Sequence, residues 1–252
     1  MKKRKVVALD ISIGSYGRFI QEIINLARNN ISSMVCVSNV HMNIEGYWDK
    51  EFALMVSGAE IITPDGMPIV KALNAIYKIK QCRVAGMDLM PDLIKRAEQE
   101  GLGVYFYGGS KDMIRRTESF VLQNYPNLKN TGFYSPPFRP LTRSEEFEVI
   151  EKINQSRAHI LFVALGCPKQ EKWMASMKGK INACMIGVGG ALPVMIGMQK
   201  RAPRWMQKLS FEWLYRLIQE PRRLFKRYLV TNTIFVFLFL KQLLLGRLGR
   251  KS

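Results

Sequence analysis

Between Ser33 and Ala191 the chain repeats one pattern: a short apolar run rich in β-branched residues, a cluster of small or turn-forming residues, then a longer stretch with helical spacing. Strands and helices that take turns in this way can bury their apolar faces only as an α/β fold, a Rossmann-like sheet flanked by helices. The pattern predicts strands at 34–37, 60–62, 104–107, 160–164 and 183–188. It predicts helices at 47–57, 68–76, 91–100, 112–124, 144–156 and 170–178. The basic lead Met1-Lys-Lys-Arg-Lys runs into a first strand, because Asp10 and Arg18 interrupt what would otherwise resemble a signal sequence. A chain of 252 residues, 48% hydrophobic, can bury one substantial core.

Ligands of such sheets bind where strands hand over to helices, at the carboxyl ends. The unusual residues of this chain fall at those places: Asn39, Thr63-Pro64-Asp65-Gly66, Gly108-Gly109-Ser110, Gly166-Cys167-Pro168-Lys169-Gln170-Glu171 and Gly187-Val188-Gly189-Gly190. A single cleft is expected to gather them.

After Gly197 the character changes. A Gln199-Lys-Arg-Ala-Pro-Arg-Trp205 segment leads into helices rich in aromatic and basic residues, interrupted near Pro221, which lacks the amide hydrogen a helix uses. Residues 1–198 are read as the core and 199–252 as a basic helical membrane appendage. The formal net charge is +18, and from Lys200 onward thirteen Lys and Arg face only Glu212 and Glu220. That charge calls for an anionic partner: phosphorylated substrate, anionic lipid or nucleic acid. The uncharged stretch 228–240 is shorter than the ~20 residues that span a bilayer, so an interfacial helix is expected. The four cysteines are widely spaced and only two histidines accompany them, which indicates neither a zinc site nor a disulfide framework and fits a reduced cytoplasm.

Asp65, between Pro64 and Gly66 at a strand end, is a candidate general base, with turn former or helix N-cap as the plainer alternative. Gly108-Gly109-Ser110 could offer amides to a phosphate at a helix start. Lys111 lacks the spacing of a P-loop, and Gly187-Val-Gly-Gly190 is only a partial dinucleotide fingerprint, so neither triphosphate hydrolysis nor a nicotinamide cofactor is predicted. Lys169 and Gln170 can donate hydrogen bonds to a sugar or phosphate, while Cys167 reads as a packing residue. No Asp-x-Asp motif occurs, so no metal or other cofactor is expected. Arginine would then carry the charge of a diphosphate, with Arg83, Arg201, Arg204, Arg216, Arg222, Arg223 and Arg227 as candidates.

Taken in order, Asn39, Thr63-Pro-Asp-Gly66, Arg83 with Gly86-Met-Asp-Leu89, Tyr107-Gly-Gly109, Gly166-Cys-Pro-Lys-Gln-Glu171, Gly187-Val-Gly-Gly190, Arg201-Ala-Pro-Arg-Trp205, Glu212-Trp-Leu-Tyr-Arg216 and Glu220-Pro-Arg222 resemble the bacterial WecG/TagA/CpsF glycosyltransferase family. The resemblance runs along nearly the whole chain. It implies an inverting, metal-independent transfer from a UDP-sugar, N-acetylmannosamine as the first choice, to N-acetylglucosamine on undecaprenyl diphosphate in cell-surface polysaccharide synthesis. It makes Asp65 the base, and it makes Asn39, Thr63, Arg83, Gly108, Gly109, Lys169, Gln170 and Gly189 substrate-binding. The C-terminal arginines would close over the lipid diphosphate at the inner face of the plasma membrane. Two departures bear on the donor: Val37-Ser38-Asn39 stands where Thr-Pro-Asn is common, and Leu192-Pro193 where Phe-Asp is common. UDP-glucose or a UDP-uronic acid is therefore the alternative donor.

Two further readings compete. Trp205, Trp213 and Tyr215 among the cations could stack nucleic-acid bases, which would show as salt-sensitive oligonucleotide binding. A non-catalytic membrane adaptor would release no UDP.

Overall fold

A computed structural model describes residues 1–208 and 211–248, with the backbone alone for residues 204, 208 and 246–248. An N-terminal hairpin, β1 (Lys3–Val6) and β2 (Leu9–Ser12), takes the place of the single first strand expected there. It is followed by α1 (Tyr16–Arg28), whose buried Phe19, Ile23, Ile24 and Ala27 lie on one face and whose first turn is capped by Ser15. The alternating unit then runs β3 (Ser33–Ser38), α2 (Val40–Trp48), α3 (Lys50–Ser57), β4 (Ile61–Pro64), α4 (Met67–Tyr77) and α5 (Gly86–Glu100). It continues with β5 (Val104–Gly108), α6 (Lys111–Asn124), β6 (Thr131–Tyr134), α7 (Arg143–Gln155), β7 (Ile160–Ala164), α8 (Lys169–Met177), β8 (Cys184–Gly187) and α9 (Ala191–Met195).

Six strands form one parallel sheet in the order β4-β3-β8-β7-β5-β6. All five predicted strands lie in it; β6, only partly buried at the edge, had no apolar run to announce it. The helix predicted at 47–57 is two helices. Asp49 ends α2, and its carboxylate caps α3 by accepting from Phe52 N at 2.9 Å. The helix expected from Pro91 begins five residues earlier at Gly86 and carries the proline inside it.

Alternate strand residues face opposite sides, as the two-residue period requires. Met34, Cys36, Tyr105, Tyr107, Leu161 and Val163 join α2, α3, α4, α7 and α8 in one core layer. Val35, Val37, Phe106, Phe162 and Ile186 join α1, α5 and α9 in the other. Strand β4 would be an open edge, and the hairpin covers it: Ser12 Oγ accepts the Ile62 amide at 3.0 Å.

The chain ends in α10 (Arg204–Lys208), α11 (Glu212–Gln219) and α12 (Pro221–Leu248). The last is 28 residues long, matching a helical segment expected from about 222 to 245, and its Pro221–Leu245 portion is long and apolar enough to cross a membrane although the uncharged stretch 228–240 within it is shorter than a span. It is also tied to the core. Thr231 and Phe235 are buried, Phe235 within the layer that holds α2 and α4. Farther along, Gln242 accepts from Val7 N at 2.9 Å and donates to Lys5 O at 3.0 Å, fastening α12 to the hairpin.

Candidate active site

Strand β8 sends α9 to one face of the sheet, while its neighbours β3 and β7 send α2 and α8 to the other. Adjacent strands whose helices part in this way leave a crevice at their carboxyl ends. Here that crevice is a cleft of about 470 Å³, floored by the strand ends and roofed by α11 and α12.

Asp65 follows β4, and its amide donates to Ser38 O of β3 at 2.9 Å, which fixes the turn. Its Oδ1 accepts from Gly86 N at 3.2 Å, and its backbone carbonyl accepts from Arg83 Nε at 2.6 Å. The Asp65 side chain is 22% exposed, within reach of a bound molecule. Burial pushes its pKa above the ordinary carboxylate range; Arg83 pulls it down, Glu212 pushes it up, and Arg216 and the Gly86 amide pull it down. A partly buried carboxylate with raised basicity is suited to accept a proton. Asp65 does not cap α4: the N-cap residue is Gly66, with no side-chain cap.

Gln170, at the start of α8, is only 4% exposed on the floor. Its Oε1 accepts from Gly166 N at 3.3 Å, and its Nε2 donates to Glu171 Oε1 at 2.6 Å. Glycines at 187 and 189 make room for it: a Cβ on Gly187 would stand 2.9 Å from Gln170 Nε2, and Gly189 has a φ of +44°. Glu171 is fully buried, and burial raises its pKa while the Gln170 hydrogen bond opposes the rise. Burial also pushes the Cys167 thiol far up, with Glu171 adding to the effect, which suits packing and not nucleophilic attack. Asn39 lines the cleft while its Oδ1 caps α2 through Met42 N at 3.1 Å.

The roof supplies the cations. Arg216, Arg223 and Arg227 line the cleft, and Arg227 Nε is buried without a hydrogen-bond partner among the described residues. A buried guanidinium N–H left open in this way is suited to an anionic ligand. His41 lies nearby, its pKa lowered to about 4 by burial and by Arg227, so the imidazole is neutral at physiological pH. Trp213 of α11 meets Tyr228 of α12 edge-on at 6.1 Å between ring centroids, and both line the cleft. Among the described residues, no three His, Cys, Asp or Glu side chains gather as a metal cage.

The cleft therefore brings together Asp65, Asn39, Arg83, Gln170, Gly189, Arg216, Arg223 and Arg227. It does not bring in every residue the sequence suggested. Thr63 is fully buried in β4, and Lys169 is exposed outside the lining. Gly108 and Gly109 also stand outside the lining, with φ of +119° and +71°; a Cβ on either would meet Ala164 O or Met113 Sδ at 2.6 Å, so close packing accounts for both glycines. Arg201 pairs with Asp88 at 2.7 Å, and Arg222 points its charge to the surface, both outside the lining. The Arg204 side chain lies outside the described residues. Of the two departures, Val37 lines the cleft, whereas Leu192 and Pro193 are buried away from it. Sequence reasoning missed His41 as a wall residue and Glu212 as a partner of Arg83. The four-residue spacing of Glu212 and Arg216, which sets both on one helix face, was the available signal.

The family model described as the glycosyl transferase WecG/TagA/CpsF family matches residues 4–249. The chain is 31% identical over 195 residues to the N-acetylglucosaminyldiphosphoundecaprenol N-acetyl-beta-D-mannosaminyltransferase of Bacillus spizizenii, covering 77% of this chain and 74% of the relative. It is 32% identical over 194 residues to the Bacillus subtilis enzyme of the same name, with 77% and 74% covered.

Proposed function

The chain belongs to the WecG/TagA/CpsF glycosyltransferase family, and from that premise we propose that it moves N-acetylmannosamine from UDP to N-acetylglucosamine on undecaprenyl diphosphate. The observation that carries this reading is Asp65, a carboxylate of raised basicity held at a strand end and facing a cleft whose cations are arginines. Asp65 accepts the proton of the acceptor hydroxyl, whose oxygen attacks the anomeric carbon as the bond to the UDP oxygen breaks. Attack from the face opposite the leaving group inverts the centre. Arg216, Arg223 and Arg227 stabilise the diphosphates by charge and paired N–H donors, so no metal is required. Asn39 and Gln170 contact the sugar or the nucleotide, and Arg83 spans the donor and acceptor sides.

Residues 199–252 act as the membrane appendage of the 1–198 core. One side of α12 is committed to the protein, while Phe225, Leu229, Phe237 and Leu244 on its other side are exposed. That arrangement suits a helix lying in the cytoplasmic leaflet with Arg222 and Lys226 at the headgroups, since each such cation near an anionic surface is worth about 1 kcal/mol. Attachment is peripheral, on the inner face of the plasma membrane.

The test is acceptor-dependent UDP release by the purified chain in a chelator, with UDP-N-acetylmannosamine, UDP-glucose and UDP-glucuronate offered in turn. Release with the first supports the reading; preference for either of the others transfers it to that donor. Absence of release with all three would contradict it.

A further inference from the structure

Arg83, in the segment between α4 and α5, stands between two carboxylates and is shared unequally. Its Nε is anchored on the Asp65 backbone carbonyl at 2.6 Å. Its terminal NH2 lies 2.6 Å from Glu212 Oε2 but 3.9 Å from Asp65 Oδ1. The two partners are mostly buried, with 17% and 15% of their side chains exposed, so the contact is shielded from water. The guanidinium thus sits beside Asp65 but closer to a residue that arrives from α11, as a charge contact without an aligned hydrogen bond, since Glu212 Oε2 has no hydrogen-bond partner among the described residues. A guanidinium bonded directly to a carboxylate occupies the lone pairs that would take a proton and stabilises the charged form.

We propose that Glu212 is a positioning residue that holds the Arg83 guanidinium off the Asp65 carboxylate, so that Asp65 is free to act as base only when α11 is seated. The proposal rests on Asp65 being the base. It gives the appendage a second task besides binding anions: one of its two acidic residues completes the electrostatics of the floor.

The charged groups facing Asp65 come from three elements. Arg83 precedes α5, Glu212 and Arg216 come from α11, and Arg201 lies farther off, engaged by Asp88 of α5 at 2.7 Å. Neutralising Glu212 removes a like charge near Asp65 and frees Arg83 to close the 3.9 Å gap. Both effects lower the basicity of Asp65. The acid limb of its rate profile then moves to lower pH, and the weaker base turns over more slowly on the plateau.

The experiment follows kcat/KM for acceptor-dependent UDP release against pH in full-length wild type, Glu212→Gln, Glu212→Asp and Asp65→Asn. The acid limb of Glu212→Gln is expected about one unit below wild type, with a lower plateau. Glu212→Asp, which keeps the charge but grips Arg83 less well, is expected between the two; if Glu212→Gln does not fold, the limb of Glu212→Asp decides. A structural role alone would lower the rate and leave the limb where it is. An unmoved limb with Asp65→Asn inactive would therefore keep the base and overturn the role of Glu212. A rise in activity in Glu212→Gln would also overturn it, since Glu212 would then be competing with substrate for Arg83. Wild-type turnover in Asp65→Asn would remove the base and this proposal together.

Discussion

On the floor of the cleft, Gln170 is 4% exposed, both ends of its amide are engaged, and the glycines at 187 and 189 leave it just enough space. On the roof, the Arg223 side chain is 66% exposed, Arg227 Nε has no partner among the described residues, and Trp213 and Phe225 lie open. The floor is set by close packing of strand ends around Gln170. The roof is the more open side, with arginines and aromatic rings partly exposed. Under the proposed function, catalysis falls to the packed floor and diphosphate binding to the open roof, and substitutions should separate the two.

The largest separation is expected from the double variant Arg216→Ala and Arg227→Ala. Turnover should fall about 10²-fold or more, as when donors to a developing charge are lost. The midpoint of urea unfolding should move little, because partly exposed side chains contribute little to folding. A floor substitution should do the reverse. Gly187→Ala places a methyl 2.9 Å from both Gln170 Nε2 and Met174 Cε, and should cost about 1–3 kcal/mol in the same unfolding experiment. Equal destabilisation by both variants would erase the distinction between the two regions.

A smaller effect concerns the outer side of the roof. Replacing Phe225, Leu229 and Phe237 by serine removes exposed apolar area and should weaken partitioning to anionic vesicles by about tenfold or more. Thermal stability should stay as it is. The smallest effect sharpens the view of the floor. Burial raises the pKa of Glu171 in the folded chain. The folded protein therefore holds that proton better than the unfolded one, and stability declines as pH rises from about 4.3 through the raised folded value. Glu171→Gln removes this decline. Its melting temperature should exceed that of wild type at neutral pH, and the gap should close as the pH falls to about 4.

The floor was the more legible region in the sequence. Strand ends announce themselves through apolar runs that stop at glycine, proline or aspartate, and Asp65, Asn39, Gln170 and Gly189 were found that way. The same signal carried Thr63, Gly108 and Gly109 along, because a motif read as a unit does not separate the residue that faces the cleft from those that pack behind it. The first helix was written in the spacing of Phe19, Ile23 and Ala27 after Ser15, yet it lies before the region where the alternation is regular. The roof was legible as charge and not as geometry. Arg216, Arg223 and Arg227 could not be told from Arg201 and Arg222 until α11 and α12 were placed. The Arg83–Glu212 pair joins residues far apart in sequence, so the spacing of Glu212 and Arg216 could mark a shared helix face but not the partner that Glu212 meets.

The claim on which the rest depends is that Asp65 removes the acceptor proton, and single-turnover transfer by full-length Asp65→Asn on the lipid-linked acceptor tests it most directly, with UDP affinity and melting temperature measured on the same sample. The account predicts transfer slowed by about 10²- to 10⁴-fold with affinity and stability retained. Transfer within a few-fold of wild type would contradict it and would move the search for the base elsewhere in the cleft.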